Sequence, residues 1–187
     1  VEVVALPKPS GTRRTPTEKR TLVATPKAGT IEELSRFLSV GPDRCLKILL
    51  VKGKDTRAVG LLLRGDHELN ALKAQKLPEV FAPLTMLRPG EVEEATRAPP
   101  GFVGPIGLEI PLYVDQSAAL LADFVCGANQ RDQHWRGVNW ERDLPLPPVA
   151  DLRNAVAGDP SPGCCGTLSF ARGIEVGHIF QLRTKYS

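Results

Sequence analysis

Nowhere in these 187 residues do about 18 apolar positions run together, so no membrane-spanning helix is expected. Cysteine and histidine are scarce, four and three residues. Cys45, Cys126, Cys164 and Cys165 form no CxxC pair, which argues against a structural zinc site and against a secreted disulfide scaffold. The expectation is a reducing, cytoplasmic compartment and no bound metal. No Walker loop, no GxGxxG opening a helix and no Ser-His-Asp order can be assembled, so the common nucleotide-binding and acyl-transfer signatures are missing. A large charge of one sign is missing too: 24 Lys and Arg stand against 21 Asp and Glu, a net +3. That excludes a blanket nucleic-acid coat but allows a locally basic face that meets phosphate. The chain opens Val1-Glu2-Val3-Val4 with neither initiator Met nor signal peptide, which predicts a fragment of a longer protein.

What is present suits one globular domain: 42 % of residues are apolar and 24 % charged. Residues 1–20 are rich in Pro and basic side chains without apolar periodicity, and read as a linker or arm. Leu22-Val23-Ala24 is a short strand. Thr30 followed by Glu33 forms a capping box, and Ile31, Leu34, Phe37 and Leu38 then share one helical face up to Gly41-Pro42. Leu46 to Val51 and Ala58 to Leu63 read as the two strands of a hairpin. His67 to about Lys76 reads as a helix, and Gly90 to Arg97 as a brief helix with acids in its first turn. Further strands are expected at Ile110–Asp115, Asp123–Cys126, His134–Trp140 and Val149–Val156, and over most of Thr167–Leu182. Hairpin pairs with irregularly inserted helices predict an α+β fold on a mainly antiparallel mixed β-sheet flanked by helices.

The chain is organised around Pro99-Pro100-Gly101-Phe102-Val103-Gly104-Pro105-Ile106-Gly107, three prolines and three glycines in nine residues. Proline removes donors and glycine costs entropy, so this is neither helix interior nor central strand. It is either a plain connector or a bare-backbone loop that can touch a ligand closely. Lys47 stands inside an apolar strand and must snorkel or meet a partner; a phosphate is one such partner. Asp115 and Asp151 sit at strand ends, where acids either cap turns or line sites. His134 opens an aromatic strand, as a structural hydrogen-bonder or a site residue. Residue chemistry alone names no reaction.

Several segments carry a family resemblance. Residues 172–187, from Arg172-Gly173-Ile174-Glu175 to Tyr186-Ser187, resemble a signature of bacterial-type prolyl-tRNA synthetases. Leu63-Arg64-Gly65-Asp66-His67-Glu68-Leu69-Asn70, Phe124-Val125-Cys126-Gly127-Ala128-Asn129, Gly137-Val138-Asn139-Trp140 and Ala157-Gly158-Asp159-Pro160-Ser161-Pro162 resemble the insertion domain of the same enzymes. The resemblance implies an editing-domain (YbaK-like) fold over residues 21–167, an arm at 1–20, and a segment at 168–187 that returns to the synthetase catalytic core. It implies post-transfer editing: hydrolysis of alanine mischarged onto proline tRNA. Alanine is smaller than proline, so the synthetic pocket cannot exclude it and a second sieve must destroy the product.

The implied partners are the 3′ acceptor end of tRNA(Pro) and the rest of a homodimeric synthetase, with no membrane. No cofactor is implied for editing, while the parent enzyme would use ATP and Mg. The implied roles fall on Lys47, which holds phosphate or ribose, on the Gly101, Gly104 and Pro105 loop, which positions ester and water, and on His134, which shapes the alanine pocket. Thr25, Ile31, Leu34, Asp115 and Asp151 are implied pocket or support residues. A freestanding deacylase of other specificity, or an inactive RNA-binding insertion, is the alternative.

Overall fold

The structure is a computed structural model. It describes residues 5–9, 11–163 and 166–171. Residues 172–187, with their synthetase-like signature and the outer part of the expected Thr167–Leu182 strand, lie outside these.

Two sheets form the body. The first is antiparallel and joins β1 (Thr21–Ala24), β6 (Gln133–Val138) and β5 (Phe124–Gly127) in that order. The second runs β2 (Leu46–Val51), β3 (Val59–Arg64), β4 (Leu112–Asp115), β7 (Val149–Ala150). Here β2 and β3 are the expected hairpin, while β3–β4 and β4–β7 are parallel. Parallel neighbours need a long crossover, and residues 65–111 provide it, with α2 (Ala71–Ala74) and α3 (Pro89–Thr96) on the way. The fold is therefore α+β on mixed and antiparallel sheet, as the pattern of hairpins and inserted helices predicts.

The central strand explains its own composition. Val59, Leu61, Leu62 and Leu63 are all fully buried because β3 has neighbours on both edges and packing on both faces. One face meets Val114, Phe124, Val138 and Trp140 between the sheets. The rings of Phe124 and Trp140 lie 4.9 Å apart, centroid to centroid. The other face packs on Ala74, Val80 and Leu152. Gly60 sits where a Cβ would come within 2.5 Å of Leu112 and 2.9 Å of Ile48, so close packing selects glycine there.

Local expectations fare unevenly. α1 (Ile31–Leu38) has the full capping box: the Thr30 hydroxyl accepts from Glu33 N–H at 3.2 Å, and the Glu33 carboxylate accepts from Thr30 N–H at 3.1 Å. It ends earlier than Gly41, on Ser39 in left-handed conformation (φ 52°), and Gly41 instead caps a 3-10 turn at Pro42–Arg44. Leu34 is buried, but Phe37 is 51 % exposed, because nothing packs over that side of α1. The helix expected over 67–76 shrinks to Ala71–Ala74. Leu69 bridges Arg153, and Asn70 caps the turn by accepting from Lys73 N–H at 3.0 Å. The strand expected over 149–156 is two residues long. Beyond Ala150 the backbone serves other partners, with Leu152 C=O accepting from Asn70 N–H at 2.7 Å. Residues 167–171 form no strand, only a bridge between Thr167 and Pro160.

The described part of the arm is coil, tied down along its length. Leu6 is buried, Arg13 donates to Ala119 C=O, and Thr17 donates from both N–H and hydroxyl to Asp123. Burial alone would raise the Asp123 pKa, but these bonds and the amide of Asn139 hold it well below the usual range.

Candidate active site

The cavity opens where the two sheets part. Cys45, just before β2, and Val125 of β5 form a parallel bridge between the two sheets. At the other end of β2, Leu87 N–H donates to Leu50 C=O at 2.9 Å and Lys52 N–H to Thr85 C=O at 2.8 Å, so residues 85–87 cover that edge. Residues of an antiparallel pair alternate in direction. Because Leu50 C=O points outward, the N–H and C=O of Ile48 also point away from β3, into the gap. The resulting cleft is about 330 Å³.

Its wall carries one cation. Lys47 is half-buried and its Nζ donates to Gly65 C=O at 3.0 Å. Burial lowers its pKa, with Glu68, Glu32 and Asp66 pulling the other way. It has no ion-pair partner among the described residues, although nine such pairs exist elsewhere in them. The expected strand lysine is thus at the cleft, with charge available to a ligand.

The start of α1 forms the opposite side. Ile31 and Leu34 give it an apolar lining. The Glu33 carboxylate also takes Gly29 N–H at 3.1 Å, which fixes the turn that enters the helix. His134, on β6, is buried at the base, 5.5 Å from the Phe102 ring. Burial lowers its pKa to about 4, so the ring is neutral at physiological pH. Its Nδ1 shares a 2.6 Å hydrogen bond with the Thr25 hydroxyl, which is itself fully buried. Thr25 therefore reaches the cleft through His134.

The proline-glycine loop closes the site. Gly101 has φ 86°, and a Cβ there would come within 2.9 Å of Gly29 C=O. Gly101 and Val103 line the cleft. Gly104 and Pro105 do not. A Cβ on Gly104 would stand 1.8 Å from Gly127 C=O, so Gly104 serves close backbone crossing. Pro105 turns to a separate depression with Ile106 and Leu144. Sequence reasoning missed Val103, Gly127 and Asn129. The Asn129 side chain binds the loop at Gly104 and Ile106, and its only signal was its place in a resembling segment.

Asp115 and Asp151 are not at this cleft. They line a second cavity, about 230 Å³, that shares no residue with the first. Asp115 accepts from the Ser117 N–H at 2.9 Å, the Ser117 hydroxyl at 2.5 Å and Leu152 N–H at 3.0 Å. Asp151 accepts from Lys73 at 2.9 Å and from Leu6 N–H at 2.9 Å. Both acids support neighbouring chain segments: Asp115 holds Ser117 and Leu152, and Asp151 holds Lys73 and Leu6. Cys45 and Cys126 are buried free thiols, and burial raises both pKa values.

A bare-backbone loop, one unpaired cation and a neutral histidine around an apolar cleft define a site that can hold a polar ester without supplying a nucleophile. The chain belongs to the aminoacyl-tRNA editing domain family, whose model matches residues 25–144. Solved structures share the fold. A candidate trans-editing enzyme for prolyl tRNA synthetase matches with TM-score 0.63 and 24 % identity over 73 % of this chain and 87 % of that one. A scaffold used in computational epitope-backbone grafting matches with TM-score 0.63 and 23 % identity over 73 % and 88 %. A hypothetical protein matches with TM-score 0.60 and 24 % identity over 73 % and 92 %. Among the described residues no helix is long and apolar enough to cross a membrane.

Proposed function

We propose that the chain is a deacylase that hydrolyses the ester of alanine mischarged onto tRNA(Pro), as the editing insertion of a cytoplasmic prolyl-tRNA synthetase. The observation that carries the reading is the chemistry of the cleft: a cation without an ion-pair partner and bare backbone, with Thr30 the one lining hydroxyl and its oxygen engaged as the cap of α1. Such a site suits a substrate that brings part of its own catalysis. A water attacks the alanyl carbonyl, helped by the neighbouring ribose hydroxyl. The bond from carbonyl carbon to ribose oxygen breaks, that oxygen takes up a proton, and alanine leaves with its carboxyl group complete. Loop N–H groups stabilise the charge that develops on the carbonyl oxygen. Lys47 anchors phosphate or ribose and so converts attack into a positioned, effectively intramolecular step.

Ile31, Leu34 and His134 surround the space for the side chain. An apolar pocket admits a methyl group, and a neutral histidine adds bulk without a charge to solvate. Asp115 and Asp151 support the frame. No cofactor enters the reaction; ATP and Mg would belong to the synthetic site of the homodimeric parent.

Deacylation assayed with alanyl-tRNA(Pro) and prolyl-tRNA(Pro) tests the reading: the first is hydrolysed and the second spared. Equal hydrolysis of both, or of neither, overturns it. A freestanding trans-editing role is the second reading. It is favoured by the fold likeness to a candidate trans-editing enzyme of which 87 % is covered. Faster hydrolysis of a different aminoacyl-tRNA than of alanyl-tRNA(Pro) would select it.

A further inference from the structure

The loop from Gly101 to Pro105 has four N–H groups, since Pro105 has none. Two are spent inside the protein. Phe102 N–H donates to Pro99 C=O at 3.1 Å, and Gly104 N–H donates to the Asn129 side-chain oxygen at 2.8 Å. Gly101 and Val103 N–H have no partner among the described residues, and both residues line the cleft. An unpaired backbone donor must find water or a ligand. The cleft is the opening these two share.

Asn129 sets which donors remain. Its amide nitrogen donates to Ile106 C=O at 2.8 Å while its oxygen holds Gly104, and its own N–H donates to Phe102 C=O at 2.9 Å. Three bonds therefore clamp the loop from outside the cleft. The residue sits at φ 59°, a left-handed conformation that Asn tolerates better than most residues. One end of the side chain must accept and the other donate. Asn satisfies both, while Leu offers neither and ionised Asp offers two acceptors.

We propose that Asn129 is a positioning residue for ester hydrolysis: by clamping Gly104 and Ile106 it aims the N–H groups of Gly101 and Val103 at the carbonyl oxygen of the bound ester. The proposal rests on the deacylase reading above. Asn129 touches no substrate. It acts through the loop.

The test measures kcat and KM for alanyl-tRNA(Pro) with the wild-type chain, Asn129→Asp and Asn129→Ala, together with thermal midpoints. Asn129→Ala should lower kcat about 100-fold, the usual scale for a misplaced oxyanion donor, with KM changed less than about threefold. Asn129→Asp should show a similar deficit that narrows as pH falls, because a protonated carboxyl again offers one donor and one acceptor. A merely structural residue would not give that pH-dependent rescue. Asn139→Ala is the comparison. Asn139 is also a clamp, fully buried where Asn129 is half-buried, on Asp123 and away from the cleft, and its loss should lower the midpoint and leave kcat unchanged.

If Asn129→Asp keeps kcat within about twofold of wild type, or loses activity only in step with its midpoint, the proposal is overturned and the deacylase reading stands. If the wild-type chain hydrolyses no aminoacyl-tRNA, both fall. Should neither variant fold, amide exchange on the wild-type chain decides. Gly104 N–H should be protected, with Gly101 and Val103 N–H exchanging freely and shifting when a non-hydrolysable amide analogue of 3′-alanyl-adenosine is added. A Gly104 N–H that exchanges as fast as the other two overturns the clamp.

Discussion

The two cavities differ in what their polar groups have left to give. The second is dense with charge, yet its groups satisfy one another. Arg64 grips Asp66 with two bonds of 2.7 Å, Arg153 grips Asp159 at 2.7 and 2.6 Å, and Lys73 meets Asp151 at 2.9 Å. His67 shares a hydrogen bond with the Ser117 hydroxyl, which donates to Asp115. The first cavity is mostly apolar, and its polar groups are few: a lysine bound only to a carbonyl, a neutral histidine, the Thr30 hydroxyl that caps α1, and unspent backbone groups at Gly101, Val103 and Ile48. Charge density marks a joint that holds segments together. Unspent hydrogen-bonding capacity beside apolar wall marks a place for a ligand. The distinction is energetic, since a polar group already paired must break a bond before it can make another.

The sharpest way to break this comparison is to exchange the effects expected at the two cavities. Arg153→Met removes one partner of a nearly buried pair and leaves Asp159 uncompensated. It should cost about 3 kcal/mol of stability by chemical denaturation while kcat for deacylation stays within about twofold. Activity lost beyond that would make the second cavity part of the site.

Lys47→Ala should do the reverse. It removes a single charge-assisted contact to substrate, worth about 1.5–3 kcal/mol, so kcat/KM falls about 10- to 100-fold with a folded protein by circular dichroism. Unchanged deacylation would remove Lys47 from the site. His134→Ala should have a smaller effect on rate and a larger one on choice. The pocket widens, and the preference for alanyl- over prolyl-tRNA should relax about tenfold, in the range of pocket-size discrimination. An unaltered preference would count against the pocket.

The last effect is on pH. Burial lowers the His134 pKa from 6.5 to about 4. Below pH 6.5 the unfolded chain therefore binds a proton at His134 that the folded chain refuses. Its contribution to stability is present above that pH and declines as pH falls towards 4. The slope should flatten in His134→Ala. His67, whose pKa is also lowered by burial, should act in the same direction and remain in that variant. An equal slope in both proteins would mean that His134 is solvated.

Several parts of the site were legible because their causes are local. The capping box of α1 needs only Thr30 and Glu33, three residues apart. The β2–β3 hairpin needs two apolar runs and a turn. Lys47 was visible as a lysine in an apolar strand that must snorkel or meet a partner, although its bond to Gly65 C=O was not. The failures have causes distant in sequence. Phe37 has the right spacing for burial, but no element arrives to cover it. Residues 67–76 have helical periodicity, but Leu69 and Asn70 are claimed by the segment at 152–153, and tertiary pairing overrides propensity. The resemblance left Asp115 and Asp151 as pocket or support residues, and only the fold shows their carboxylates binding Ser117, Leu152, Lys73 and Leu6 away from the cleft.

The proline-glycine loop divides the credit most clearly. Its composition alone determined that residues 99–107 would be bent and bare, because proline and glycine act on their own backbone. Composition also limited the site to few polar groups, since histidine and cysteine are rare. Which backbone groups stay free was decided elsewhere, by Pro99 taking the Phe102 N–H and by Asn129, 25 residues beyond Gly104, taking the Gly104 N–H. A hydrogen bond has two ends. A chain read in order shows where the donors are, and only the folded molecule shows which of them have been spent.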